Sequence, residues 1–348
     1  MNKLTKVGCS ALCGSLAAIS AANAGDLTVT GGADMTWVSK SGQVTGNPIG
    51  IGSNFSLKGD GELDNGWTVG LTIAHTNGGA YSSAVIDLGL GGLGSINFNS
   101  GDSGNGVQAY DDMMPTAWEE AHGAGLATGV RGLTSGVGPS MNVQYTFPTL
   151  AGSTLKVAYA PRMGVTDTAD KATSGVTSGD DAEGYDITLN MNPTFGTELL
   201  SGLNIFVAGH EGKQYDNGAQ DDHTAQATIG LTFDIGPISI GQQFSGEYTG
   251  VETAAATNVY KATLFGIAFN VSDDLSISYG TAESEKKGQS HSNVSVVAPL
   301  IKVSSVQAAY TMGGASMRVA HVDVENKLFS SAAGADQDAM ILSLGLAF

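Results

Sequence analysis

The stretch from residue 101 to 139 carries Asp102, Asp111, Asp112, Glu119 and Glu120, with Arg131 as its only base. Carboxylates grouped this way attract cations when they line a water-filled passage. The competing reading is an acidic loop solvated on the outside. A connection this long in a compact domain is usually functional or disordered, because a hairpin needs far fewer residues. Opposing positive charge is scarce. Lys58, Lys156 and Arg318 fall on the polar sides of alternating segments, and Lys40 lies at the end of one. The only other arginine, Arg162, belongs to a connection. Each base taken alone reads as a solvated residue or as an element of charge selection.

Catalytic and metal signals are weak. The six histidines (75, 122, 210, 223, 291 and 321) include no His-x-x-x-His pair. Glu119 and His122 stand three apart, a spacing that could share a helical face and hold a metal, but one such pair is little to go on. No Gly-x-Ser-x-Gly elbow appears. Gly89-x-Gly91-x-x-Gly94 matches a dinucleotide fingerprint in form, yet it leads from one strand into another and not into a helix. It reads as a turn. The acidic runs at Asp180-Asp181 and Asp216–Asp222 lack the spacing of a calcium loop and read as solvated connections, with divalent bridging to lipopolysaccharide as the alternative. No catalytic residue, metal or cofactor is assigned.

The elements that must carry these residues are strands. Leu27, Val29, Ala33, Met35 and Trp37 alternate with Thr28, Thr30, Asp34 and Thr36. The same period of two recurs at Phe55 and Leu57 against Ser56 and Lys58, and again at Trp67, Val69, Leu71 and Ile73. It continues at Met141, Val143, Tyr145 and Phe147, and at Ala225, Ala227, Ile229, Leu231 and Phe233. In the last segment Met340, Leu342, Leu344, Leu346 and Phe348 face one way and Ala339, Ser343, Gly345 and Ala347 the other, with Ile341 as the exception. Short connections are expected at 64–66, 91–94, 148–153, 235–237, 271–274 and 313–314. Long polar ones are expected near 40–50, 77–81, 100–139, 161–182, 211–222, 248–257, 284–303 and 326–335. The count is about sixteen strands of about ten residues, with both termini on the short-turn side. Boundaries are least defined at 183–210 and 293–313.

Composition narrows the class. Residues 1–24 read as a signal peptide: Lys3 and Lys6, an apolar stretch from about Val7 to Ala21, and Ala22-Asn23-Ala24 before Gly25. The residues before Cys9 and Cys13 fit a lipidation box poorly, and both cysteines leave with the signal. Losing two lysines from 15 basic residues leaves 13 against 33 acidic ones, a net charge of −20. Nucleic acid is excluded as a partner, since phosphates need a basic face. With 50 glycines but 41% hydrophobic residues the chain is too apolar for disorder. Its longest mature apolar run, Val294 to Ile301, is too short and too interrupted for a membrane helix. Strands of this pattern, with aromatics such as Trp37, Trp67, Tyr145, Phe244 and Tyr310 at their ends, suit a transmembrane antiparallel β-barrel over 25–348.

The chain resembles the Gram-negative general porins. The resemblance rests on the first strand from Asp26 to Ser39, the Asp64-Asn65-Gly66-Trp67 turn, the Tyr310–Gly314 strand and turn, and the terminal strand ending in Phe348. It implies a trimeric sixteen-stranded barrel in outer-membrane lipid and lipopolysaccharide that passes small hydrophilic solutes. It further implies a third long loop folded into the lumen, and a terminal aromatic that helps assembly. Clustered arginines opposite that loop, usual in the family, are largely missing here, so a net-negative, cation-preferring pore is expected. An outer-membrane hydrolase and a plugged structural or adhesive barrel are the alternatives.

Overall fold

A sheet inside a bilayer has no water to satisfy its edge groups, so its first and last strands must pair. The computed structural model describes residues 27–41, 47–77, 83–101, 104–164, 181–193, 200–214, 223–251, 258–287 and 298–347. The expected signal peptide, Asp102, the run 216–222 and Phe348 lie outside them. The strands are β1 (Leu27–Lys40), β2 (Ile49–Glu62), β3 (Thr68–Thr76), β4 (Ser83–Gly89), β5 (Ser95–Asn99), β6 (Asn142–Thr146), β7 (Ser153–Ala160) and β8 (Asp181–Met191). They continue as β9 (Leu203–Gln214), β10 (His223–Ile235), β11 (Ile238–Tyr248), β12 (Val259–Asn270), β13 (Leu275–Lys287), β14 (Ile301–Met312), β15 (Ala315–Glu325) and β16 (Gln337–Ala347). Each is antiparallel to its sequence neighbours. β1 closes the ring against β16, from Gly32 opposite Ala347 to Lys40 opposite Ala339.

The sixteen strands agree with the sequence reading. All six short connections fall where the turn residues place them, and β8 is joined to β9 by residues 192–202. Gly91–Leu93 form a single 3₁₀ turn between β4 and β5, so the glycine fingerprint is a turn. Strand length departs from the expected ten: β5 and β6 have five residues each. The chain leaves the wall at Asn99 and returns at Asn142, and everything between is the third long loop.

The two faces of the wall differ as alternation requires. Leu27, Val29, Ile51, Ile229, Phe244, Val306, Met317 and Leu342 are exposed on the outer face, as a lipid-facing surface demands. Trp37, Trp67, Phe147 and Tyr310 are exposed with them. The opposite face is polar on β1 and β2 but not throughout. Leu264, Ile301, Val303, Val322, Val324 and Ile341 point there and are at most 2% exposed. Together with Phe206 they form one cluster with Val107, Tyr110, Met114 and Leu126 of the third loop. Ile341 breaks the alternation of β16 because it is covered. The Gly125 backbone comes so close that a Cβ there would stand 3.2 Å from Ile341 Cγ1.

Candidate functional site

The third loop is fixed to the wall face opposite the exposed apolar one, through inward side chains of many strands. Asp186 on β8 is the central anchor. Its Oδ2 accepts the N–H groups of Val107 (2.8 Å) and Val137 (3.2 Å), which lie 30 residues apart. Its Oδ1 lies 2.6 Å from His210 Nδ1 on β9, whose N–H donates to it. Two glycines make this approach possible. Gly106 and Gly136 have φ of +62° and +48°, and a side chain at either would collide with the Asp186 carboxylate. Left-handed backbone and contact space both call for glycine.

The other anchors are inward amides and hydroxyls. Gln144 accepts from Gly106 N–H at 2.9 Å, and Gln226 from Ser135 and Gly136 N–H at 2.7 and 2.9 Å. Gln243 donates to Tyr110 O at 2.7 Å. Gln307 accepts from Glu119 N–H at 3.0 Å and donates back to Glu119 O at 2.6 Å. Ser284 brackets Arg131 in the same way. Tyr110 stacks on Phe206 with centroids 5.0 Å apart. Each buried bond of this kind contributes about 0.5–1.5 kcal/mol, and those to the charged carboxylate about 1.5–3 kcal/mol.

The predicted carboxylates then separate. Asp112 and Glu119 are exposed, Asp111 is half-buried, and Glu120 is 6% exposed. Burial, reinforced by neighbouring Asp112, pushes the Asp111 carboxyl up to about 6. Burial pushes Glu120 further, to about 8, against the Met114 N–H that donates to its Oε1 at 2.6 Å. His122 is lowered by burial. Glu120 therefore does not face open water, unlike Asp112 and Glu119.

The basic residues are mostly neutralised where they stand. Lys58 Nζ lies 3.3 Å from Asp60, and Arg131 Nη2 lies 3.1 Å from Glu247, with its guanidinium 4.6 Å from the Tyr260 ring centroid. Arg318 donates to Asp34 at 2.9 Å and sits over Trp118 of the loop, within electrostatic reach of Glu119. Lys156 is half-buried on the inward face of β7. The sequence reading missed Asp186, Asp34 and the anchoring glutamines. Their only signal is a polar side chain on the inward parity of a strand, which many solvated residues share.

A family model described as Gram-negative porin matches residues 8–348. The chain belongs to the Gram-negative porin family. The porin is thus a channel-forming β-barrel of the outer membrane. No curated protein matches its sequence. Solved structures share its fold at low identity. OmpF of Salmonella typhi, in complex with daunomycin, aligns at TM-score 0.68 with 15% identity over 93% of this chain and 98% of its own. An anion-selective porin from Comamonas acidovorans aligns at TM-score 0.63 with 13% identity, over 93% and 99%. The outer-membrane channel DcaP of Acinetobacter baumannii aligns at TM-score 0.63 with 11% identity, over 94% and 99%.

Proposed function

We propose that the porin passes small hydrophilic solutes and ions by passive diffusion, prefers cations, and is narrowed by its third loop. The observation that carries this reading is the imbalance of charge at the loop. Asp112 and Glu119 are exposed there, while Lys58, Arg131 and Arg318 each have an acidic partner within 3.3 Å. Fixed carboxylates facing water raise the local concentration of cations and repel anions. An overall charge of −18 favours the same sign. No energy source or cofactor enters this mechanism.

A hydrolytic role finds little support. Asp186 and His210, the pair that most resembles an acid–base dyad, are both buried, and the Asp186 carboxylate is occupied by loop backbone. We further propose an N-terminal export signal over residues 1–24 and a homotrimer in lipid and lipopolysaccharide; a trimer form of one matching structure, OmpT of Vibrio cholerae, supports the trimer. Reversal potential across a salt gradient in planar bilayers tests the channel reading. A cation-selective current is expected, and it should weaken in an Asp112→Asn/Glu119→Gln double variant. A potential of anion sign, or one unmoved by the double variant, refutes the selectivity.

A further inference from the structure

We propose that Asp112, Glu120 and His122 form a binding site for one divalent transition-metal ion of the Zn²⁺ class on the third loop. One donor atom from each residue lies within 4.8 Å of the others. The Glu120 side chain is only 4% exposed and is held in place by the Met114 N–H on its Oε1. Its second oxygen, Oε2, has no hydrogen-bond partner and points toward His122. His122 Nδ1 lies 3.5 Å away, is also buried, and also lacks a hydrogen-bond partner.

Leaving a buried polar atom unsatisfied costs about 1–3 kcal/mol. Two such atoms 3.5 Å apart, with an Asp112 oxygen within 4.8 Å of them, mark a place where a third body fits. The spacing fits an ion. Two ligands about 2.1 Å from a tetrahedral centre stand about 3.4 Å apart. Asp112 is exposed, so its carboxylate can swing in from the water side to complete three protein ligands. The fourth position then opens to solvent.

The donor set selects the class of metal. An imidazole with two carboxylates suits Zn²⁺ and its neighbours, whereas Mg²⁺ prefers oxygen alone. Asp111 and Glu119 add negative charge to the same group. Binding would cancel charge at the loop, which gives the site an electrical consequence. That consequence rests on the channel reading; the site itself does not.

The test is calorimetric titration of tag-free, chelator-stripped, detergent-purified full-length porin with ZnCl₂ and separately with MgCl₂. One Zn²⁺ per chain is expected, with no comparable Mg²⁺ uptake at equal concentration. Glu120→Gln keeps the acceptor for Met114 N–H, and His122→Gln keeps a polar group. Each should weaken Zn²⁺ binding at least about tenfold. Asp112→Asn is at an exposed position and carries the test should the buried variants misfold. Absence of Zn²⁺ uptake, or uptake equal in wild type and Asp112→Asn, overturns the site. Zn²⁺ added to planar bilayers should reduce cation preference in wild type and not in His122→Gln. Intact Zn²⁺ binding by a protein that carries no current overturns the channel reading alone. A conducting protein that takes up no Zn²⁺ overturns the site alone.

Discussion

Replacing Asp186 by alanine should loosen both ends of the third loop together. The carboxylate holds two loop N–H groups and the His210 N–H at 2.8, 3.2 and 2.6 Å. Individually, bonds to a charged acceptor are worth about 1.5–3 kcal/mol, but they share one acceptor and do not add. Removing one partner of a buried charged network costs about 3–5 kcal/mol as a whole. With each 1.4 kcal/mol equal to a factor of ten, the population with Val107 and Val137 undocked should rise roughly 10²- to 10³-fold or somewhat more. Gln243, Ser284 and Gln307 still hold the middle of the loop, and Gln144 and Gln226 keep weaker bonds beside Val107 and Val137. The barrel should therefore fold, and the loop near the wall of β8 should open intermittently. Single-channel recording at fixed salt should show a larger mean conductance with frequent brief transitions. Asp186→Asn keeps one carbonyl acceptor and should fall between. Gly136→Ala reaches the same end from the other partner, because its methyl group meets Asp186 Oδ2. A folded Asp186→Ala protein with wild-type conductance and a quiet open state would refute the anchoring role.

Three further outcomes follow from the same geometry. Removing Ile341 to alanine should cost about 2–5 kcal/mol in urea unfolding, because it leaves a cavity beneath Gly125, whereas Leu342→Ala on the outer face should cost much less in the same assay; equal losses would mean that the loop does not pack there. In chelator-treated bilayers the cation preference should fall as pH drops through about 6, where Asp111 takes up a proton, and not only near the ordinary carboxylate range around 4. Reversal potentials from pH 5 to 7 should show this step in wild type and lose it in Asp111→Asn. Arg318→Gln should free Asp34 and strengthen cation preference, since the guanidinium now offsets Asp34 and Glu119; a shift toward anions would contradict the pairing at 2.9 Å.

The fold was legible because a barrel repeats one rule along the whole chain. Each strand alternates, each expected short turn carries a glycine or an aspartate, and an error in one strand leaves the count intact. The loop site was legible only in its charge. That Asp111, Asp112, Glu119 and Glu120 cluster could be read from their order, but which of them meets water depends on how the loop lies on strands far away in sequence. Glu120 turns inward because Met114, six residues back, offers it an N–H, and no periodicity encodes that. The partners of the loop are equally hidden. Asp186, Gln226 and Gln307 look like any polar residue on the water side of a strand, yet they decide where the loop rests.

One irregularity did carry the information. Ile341 breaks a strict alternation in β16, and an apolar side chain on the polar face must be covered by something. Val322, Val324, Ile301 and Val303 repeat the signal on neighbouring strands. Their positions lie toward the ends of β14, β15 and β16 that meet long connections. Taken together, such misplaced apolar residues mark out the footprint of the loop on the inner wall before any coordinate is known. In a barrel whose regular pattern gives only architecture, the exceptions to that pattern are where the contact between loop and wall is written.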